Sequence, residues 1–259
     1  MGNNPGTAYN RRAAWLAAII AAPLLYLLLL HGPIPQDKGY HVFADMRTCL
    51  GVANFGNVAS NLAFLAVGVS GGTWCYRHLT AGARLSWMVF FLGVALVFFG
   101  SGYYHYQPND DALVWDRLPM TLAFMGLFAA LMSEHLGAPL ERPVLLPALL
   151  LGIASVLWWR YSDDLRIYIW VQLAPLLAIP FVVAMFPARY THRNYLIYGL
   201  IFYAIAKVAE YLDHGAYAFT AQWLSGHTLK HLIAAMAPLM LLLMLQRRTT
   251  LQTHSHPAQ

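Results

Sequence analysis

Residues 85–105 read LSWMVFFLGVALVFFGSGYYH, and no charged side chain interrupts the run between Arg84 and His105. An α-helix rises about 1.5 Å per residue, so a stretch of this length crosses the ~30 Å hydrocarbon core of a bilayer. The stretch therefore predicts a membrane-spanning helix. It ends in polar residues, with Ser101 and His105 four positions apart and hence about one turn from each other on one face.

The rest of the chain repeats this pattern of long apolar runs. Of its 259 residues, 59% are hydrophobic and only 10% are charged, whereas a soluble domain carries about 25% charged residues. We therefore expect an all-α integral membrane protein. The apolar segments long enough to span a membrane are residues 13–30, 55–76, 85–105, 112–133, 143–160, 166–187, 195–213 and 226–246.

Eight crossings divide the chain into three expected parts. Residues 1–54 form an N-terminal transmembrane helix and an extracytoplasmic loop, about 55–246 form a seven-transmembrane-helix core, and 247–259 form a disordered polar tail. Basic clusters at 11–12, 77–84, 189–193 and 247–248 then fall on one side, which the positive-inside rule makes cytoplasmic. We expect both termini on the cytoplasmic side of the membrane. The formal charge of +5 indicates no nucleic-acid partner.

The stretch GHTLKH at 226–231 opens the last apolar segment. His227 and His231 share one helical face, and imidazole is a ligand for Zn, Cu, Fe or Ni. Alone, this spacing is a weak indication, because two interfacial histidines at a helix start give it too. However, the eight-span topology brings His105 and Asp116 to the same outer side. We therefore predict one zinc ion bound by the three histidines, with Asp116 beside it.

Other ionisable residues within the apolar segments receive simpler interpretations. Such residues are costly in a bilayer and usually face the protein interior or a water-filled cavity. Lys207 and Glu210, three positions apart, are expected to form an ion pair within one helix. Asp213 lies at a helix end, where an interfacial role is expected. Lys230 is expected to reach outward along its helix, and Arg117 to do the same or to pair with an aspartate that opens its segment.

Together these motifs resemble the alkaline ceramidase family, within the wider superfamily that includes the adiponectin and progestin receptors. The resemblance covers about residues 45–246. The motifs that carry it are NVASN at 57–61, GSGYYH at 100–105, DRLPM at 116–120 and GHTLKH at 226–231. Each motif alone is unspecific, and the combination is specific. The chain is most similar to a bacterial relative of the family.

The resemblance implies a zinc-dependent amidohydrolase. Carried over by position, it makes His105, His227 and His231 the zinc ligands and places Ser101 and Asp116 in the same site. The implied reaction is hydrolysis of the amide bond of a ceramide-like membrane lipid to a sphingoid base and a fatty acid. Three protein ligands leave a fourth position for water, as in catalytic zinc sites. The oligomeric state is not indicated.

The chain departs from the family at a calcium-binding position. Asn54, in the stretch Ala53-Asn54-Phe55, stands where the alkaline ceramidases carry a glutamate. A neutral amide is a weaker ligand for Ca²⁺ than a carboxylate. We therefore expect activity that does not depend on calcium.

Two other functions fit the same residues. The first is a receptor-like or regulatory membrane protein of the same superfamily, with a zinc site and weak or different lipid hydrolase activity. The second is a haem-binding or metal-handling membrane protein, with His105 and His231 as axial ligands on facing helices. In the second case Ser101 and Asp116 would have no role.

Overall fold

The structure is a computed structural model, and it describes residues 5–80 and 82–251. These residues form ten α-helices, two 3-10 turns (Lys38–His41 and Ala138–Leu140) and no β-strand. The helices are α1 (Pro5–Leu29), α2 (Phe55–Ala59), α3 (Leu62–His78), α4 (Arg84–Tyr106), α5 (Asp110–Leu136), α6 (Glu141–Ser162), α7 (Arg166–Met185), α8 (Tyr195–Tyr211), α9 (Asp213–Phe219) and α10 (Gly226–Arg247).

The long helices are the candidate membrane spans. Among the described residues, seven stretches are long and apolar enough to cross a bilayer, and the bent pair α8–α9 makes an eighth. Helices α2 and α3 together make up one of these spans, Phe55–His78. The prediction of an all-α membrane protein with one N-terminal helix before a seven-helix core is confirmed.

The predicted segment 195–213 differs from the structure at its end. Helix α8 stops at Tyr211, and α9 turns away from it by 78°. At this bend the Asp213 carboxylate accepts hydrogen bonds from the backbone N–H of His227 (2.7 Å) and of Ala44 (2.9 Å). At the bend, Asp213 is thus bonded to two other parts of the molecule.

Helices α4 and α5 touch along their backbones. A Cβ added to Gly100 would lie 2.0 Å from the carbonyl oxygen of Trp115, and a Cβ added to Gly93 would lie 2.5 Å from the backbone nitrogen of Ala123. Small residues allow membrane helices to approach this closely. Gly100 precedes Ser101 and Trp115 precedes Asp116, so the contact at Gly100 brings the segments that carry these two residues together.

The N-terminal helix α1 is bonded to the core of the bundle. The indole N–H of Trp170 on α7 donates to the carbonyl oxygen of Ile20 at 2.8 Å. The guanidinium of Arg166 donates to the carbonyl oxygens of Leu27 (3.2 Å) and His31 (2.8 Å). These contacts satisfy backbone groups near the end of α1 and fix it against α7.

Residues 30–54, here called the cover loop, fold over the end of the bundle where α4 ends and α5 and α10 begin. His41 contacts the hydroxyl of Tyr104 at 3.0 Å and the carboxylate of Asp110 at 3.1 Å. Ala44 is bonded to Asp213, as described above. The loop therefore lies against α4, α5 and α9, and the first two of these carry residues of the predicted site.

At the opposite end, the described part of the C-terminal segment pairs with the loop before α8. The backbone N–H of Thr191 donates to the Thr249 carbonyl, and the Leu251 N–H donates to the Arg189 carbonyl, both at 3.0 Å. Residues 248–251, within the predicted disordered tail, are thus held in place. The remainder of that predicted tail, residues 252–259, lies outside the described residues.

Candidate metal centre and adjoining cavity

The three predicted metal ligands form one buried cluster. His105 lies in the last turn of α4, and His227 and His231 lie in the first turns of α10. The His105 ring centroid is 4.8 Å from that of His227 and 4.9 Å from that of His231, and the latter two are 4.9 Å apart. One ring nitrogen from each lies within 4.8 Å of the others, so the cluster could hold a metal ion.

The spacing of one pair of these nitrogens fits two ligands of a single small cation. Nε2 of His105 and Nε2 of His227 are 3.3 Å apart. Zinc–imidazole bonds of about 2.0–2.1 Å in tetrahedral geometry place two ligand nitrogens about 3.3 Å from each other. The donor set, three imidazoles shielded from solvent, suits zinc and the other transition metals that prefer nitrogen ligands.

Ser60, in the break between α2 and α3, fixes the orientation of the His231 ring. Its hydroxyl donates to the Asn57 carbonyl at 3.1 Å and lies 2.8 Å from Nδ1 of His231. A hydroxyl has one hydrogen, so if Ser60 gives it to the Asn57 carbonyl, Nδ1–H of His231 donates to Ser60. The lone pair of Nε2 is then left for a metal, the arrangement by which outer hydrogen bonds set the tautomer of a histidine ligand.

Neighbouring groups hold the other two histidines. The Asp213 carboxylate accepts from the backbone N–H of His227, and the Asn54 amide donates to the His105 carbonyl at 2.8 Å. The ring of Phe43, from the cover loop, packs edge-on with centroids 4.8 Å from His105 and 4.7 Å from His227. The cover loop therefore packs directly on the histidine cluster.

Ser101 and Asp116 lie beside the cluster, in the wall of a cavity of about 330 Å³. Both are buried, and the Ser101 hydroxyl is close enough to interact with the Asp116 carboxylate. The cavity wall includes His231 but neither His105 nor His227. The structure thus brings all five residues of the predicted site to one end of the bundle, with His231 between the cluster and the cavity. Their catalytic roles stay predictions.

The cavity has an apolar part and a polar end. Six of its apolar lining residues are Phe64, Phe90, Val94, Leu127, Ile179 and Leu200. Its polar end lies near Ser101, Asp116 and His231. Helix α8 packs closely on α10 but touches α7 sparsely, with one link from the Tyr203 hydroxyl to Gln172 at 3.1 Å. A cavity of this kind suits a molecule with one apolar and one polar end.

A cluster of charges borders the polar end. The predicted ion pair between Lys207 and Glu210 is present, but Glu210 also accepts from Lys230 at 2.8 Å. The prediction that Lys230 reaches outward is wrong, because its ammonium points inward and lies 3.1 Å from Nε2 of His227. The Tyr40 hydroxyl is 3.5 Å from Glu210. Burial and this carboxylate raise the pKa of Tyr40, which keeps it a neutral donor.

Arg117 is also placed differently from its prediction. It is 5% exposed and pairs with neither of the aspartates that open α5. Its guanidinium carbon lies 3.9 Å from the Trp159 ring centroid and 4.7 Å from that of Tyr168. Its Nη2 donates to Gln36 at 2.6 Å. The aromatic rings hold the cation inside the bundle, because ring faces attract positive charge.

Asp45 is the buried carboxylate of the cover loop nearest the family's calcium-binding position. Arg47 donates to both of its oxygens, through Nε at 2.8 Å and Nη2 at 2.7 Å. These bonds hold the pKa of the Asp45 carboxyl below its usual value. The amide nitrogen of Asn54 donates to the His105 carbonyl, and Asn54 offers no carboxylate. The one carboxylate of this pair of side chains is therefore already engaged by Arg47.

Several residues that position the site have no assigned role in the sequence interpretation. Ser60 lies within the motif NVASN at 57–61. The only feature of the sequence that points to it is that polar residues are unusual in an otherwise apolar span. Asp213 was expected at the interface, yet it is buried and bonded to the start of α10. Phe43 carries no signal, because an aromatic residue in a polar loop is common.

The haem interpretation does not fit this geometry. Axial imidazoles bind from opposite faces of a porphyrin, which must lie between them. Here the His105 and His231 ring centroids are 4.9 Å apart, and the His227 ring lies within 4.9 Å of both. Three rings packed this closely leave no slot for a macrocycle, so a compact metal-ion site remains.

A comparison of the chain with protein-family models, with curated proteins and with solved structures finds no match. The family resemblance therefore depends on the sequence motifs given above. The fold and the convergence of the histidines are properties of this structure. The activity that the resemblance implies belongs to the proposal below.

Replacing His105, His227 or His231 singly by alanine is expected to remove the metal, because two imidazoles hold an ion in this geometry far less tightly than three. Elemental analysis of purified protein should find about one zinc per wild-type chain and little in each variant. The matched control is His214→Ala, at an exposed histidine near the same end. Full occupancy in any one variant that reaches the membrane would remove that residue from the ligand set.

Ser60→Ala is expected to weaken metal binding by about 10- to 100-fold, the usual effect of losing the hydrogen bond behind a histidine ligand. Competition against a chromophoric chelator measures this affinity. Ser60→Thr keeps the hydroxyl and should restore binding. Ser155→Ala is the control, because buried Ser155 bonds only its own helix at Gly152. Unchanged affinity in Ser60→Ala would show that the His231 ring is oriented by its packing alone.

Proposed function

We propose that this chain is a zinc-dependent intramembrane lipid amide hydrolase that cleaves the N-acyl bond of ceramide-like lipids. The observation that carries the proposal is a buried three-histidine cluster that adjoins, through His231, the polar end of an otherwise apolar cavity. Ser101 and Asp116 line this cavity, so a donor and a proton acceptor adjoin the cluster. The four motifs that resemble alkaline ceramidases support the same reaction.

The residues divide the reaction between them. Bound at the three histidines, zinc supplies a Lewis acid that polarises a carbonyl and makes water more acidic. The Asp116 carboxylate takes a proton from the attacking water and passes it to the departing amine nitrogen in this proposal. Ser101 donates a hydrogen bond to the carbonyl oxygen as negative charge develops there. The C–N bond breaks, a C–O bond forms, and the products are a fatty acid and an amine.

The cavity holds the lipid in the orientation that this chemistry needs. Its apolar wall between α4, α5, α7 and α8 accommodates the acyl chain. The amide then lies at the polar end, near His231. The sparse contact between α7 and α8 offers a route by which a lipid enters from the bilayer. Phe43 covers the cluster on the side of the loop and limits the access of bulk water there.

We propose that the site faces the outer side of a bacterial inner membrane. Helix α4 begins at Arg84 and ends near His105, and α10 runs from His227 to Arg247, so the histidines lie at the end opposite to these arginines. Residues 189–193 lie at the arginine end, because Thr191 bonds Thr249. Positive charge collects on the cytoplasmic side of membrane proteins, which favours cytoplasmic termini.

Purified protein in lipid vesicles is expected to release fatty acid from N-acyl sphingoid lipids, measured by mass spectrometry. Asp116→Asn should lower kcat by about 10²- to 10⁴-fold through loss of the proton acceptor. Ser101→Ala should lower it by about 10²-fold or more. Ser155→Ala is the control for a buried hydroxyl away from the cavity.

In the same assay, selective chelators show which metal ion the activity requires. A zinc-selective chelator should abolish release, while a calcium-selective chelator should leave it unchanged, because Asn54 has no carboxylate and the Asp45 carboxylate is bonded to Arg47. Absence of release from every N-acyl lipid tested would defeat the hydrolase proposal. Loss of activity with the calcium chelator, reversed by calcium, would reveal a calcium site elsewhere.

A reporter enzyme fused after Gln259 tests the orientation. The fusion is expected to be active when the reporter works in the cytoplasm and inactive when it works only in the periplasm, since positive-inside topology places the C-terminus inside. A second pair of fusions in the loop 138–140, at the same end of the bundle, should give the same result. Activity of the periplasmic reporter at both positions would place the histidine cluster on the cytoplasmic side.

A further inference from the structure

The polar end of the cavity carries an excess of positive charge. Its lining contains three cations and two carboxylates, namely Arg117, Lys207, Lys230, Asp116 and Glu210. The two lysines share Glu210, which accepts from both of them. Asp116 forms no ion pair within the part of the chain that the structure describes. The cations of the lining therefore exceed its carboxylates by one positive charge.

Arg117 is the cation without a carboxylate partner. Among residues 5–80 and 82–251, its one hydrogen bond goes to the neutral amide of Gln36. Its Nη1 is buried and has no hydrogen-bond partner. The faces of Trp159 and Tyr168 stabilise the guanidinium, but a ring face does not accept a directed bond from each remaining N–H.

Burying such a group has a cost that calls for an explanation. A cation within a membrane span is expensive, and such residues commonly mark the path or the site of a substrate. A guanidinium presents a rigid fork of donors that matches the oxygens of a carboxylate or a phosphate. Arg117 directly follows Asp116, and both line the cavity that includes His231. An anion held by Arg117 would thus lie close to the proposed amide position.

We propose that the amide lipid bound in this cavity carries a carboxylate or phosphate on its amine side, held by Arg117. The proposal rests on the proposed function for the identity of the amide, and it names the headgroup class. A neutral ceramide would leave the guanidinium unpaired in the filled cavity, whereas an acidic N-acyl amine would pair with it. Tyr40, whose ring lies 5.9 Å from the guanidinium, borders the same place.

A pair of probes with one chemical difference tests this preference in the wild-type protein. N-palmitoylglycine and N-palmitoylethanolamine share the acyl chain and the amide, and they differ in a terminal carboxylate against a hydroxymethyl group. Binding to detergent-solubilised protein is measured by ligand-induced thermal shift and titration. The acidic lipid is expected to bind at least ~10-fold more tightly, the effect of a desolvated charge pair. Equal or weaker binding of the acidic lipid would overturn the proposal.

Variants then assign the preference to one side chain. Arg117→Met should bring the affinity ratio of the two lipids close to one, while Arg117→Lys, which keeps the charge, should retain part of it. The control is Arg160→Gln, which removes a cation that pairs with Asp111 away from the cavity, and it should leave the ratio unchanged. If Arg117→Met does not fold, the comparison of wild type with Arg117→Lys decides. A ratio that survives every folded Arg117 variant would overturn the assignment.

Two further measurements complete the test. The first distinguishes the possible sources of the anion, and the second separates the headgroup proposal from the hydrolase proposal. Palmitate and hexadecanol test whether the site serves the fatty-acid product. An Arg117-dependent preference for palmitate, without one for N-palmitoylglycine, would overturn the headgroup proposal. Measured rates test the chemistry separately. Preferential binding of the acidic amide without hydrolysis would support the anion site and defeat the hydrolase function, while hydrolysis of both amides at equal kcat/KM and equal affinity would do the reverse.

Discussion

The cost of burying polar groups in an apolar helix bundle governs this structure. Three imidazoles, several carboxylates and a guanidinium lie at one end of helices that are otherwise largely apolar. A polar group buried there needs a protein partner, since a bilayer offers no water to replace one, and among the described residues Nη1 of Arg117 lacks one. Ser60 lies within hydrogen-bonding distance of the His231 ring. Asp213 accepts a hydrogen bond from the first turn of α10, and Asn54 donates one to the carbonyl of His105. The site is therefore the organising centre of this end of the bundle.

The sequence predicts the helices well, because a long apolar run that spans a membrane has few structures other than a helix available to it. It also predicts that the three histidines meet, since counting crossings places His105 and the start of α10 on one side. Contacts that depend on tertiary packing cannot be predicted in this way. The inward turn of Lys230, the aromatic enclosure of Arg117 and the bend at Asp213 each depend on which helix or loop lies opposite. The spacing of residues along one segment carries no information about that neighbour.

The cover loop explains why a polar segment before the first core span belongs to the site. Phe43 packs on two of the histidines, and the backbone of Ala44 shares the Asp213 carboxylate with the start of α10. A single side chain thus couples the loop, the bend after α8 and the position of His227. The predicted division at residues 54 and 55 separates two segments of sequence that the structure joins in one functional unit.

Lys230 links the charges of the cavity to the metal ligands. Its ammonium lies 3.1 Å from Nε2 of His227, the nitrogen that also faces His105. This nitrogen has one lone pair, so it serves either the ammonium or a metal. When a metal takes it, Lys230 keeps Glu210, at 2.8 Å, as its partner. Glu210 thereby gives the ammonium a stable position in either case, and it limits the repulsion between two neighbouring cations. A carboxylate that looks like half of a simple helical ion pair thus also holds the lysine that lies beside the histidine cluster.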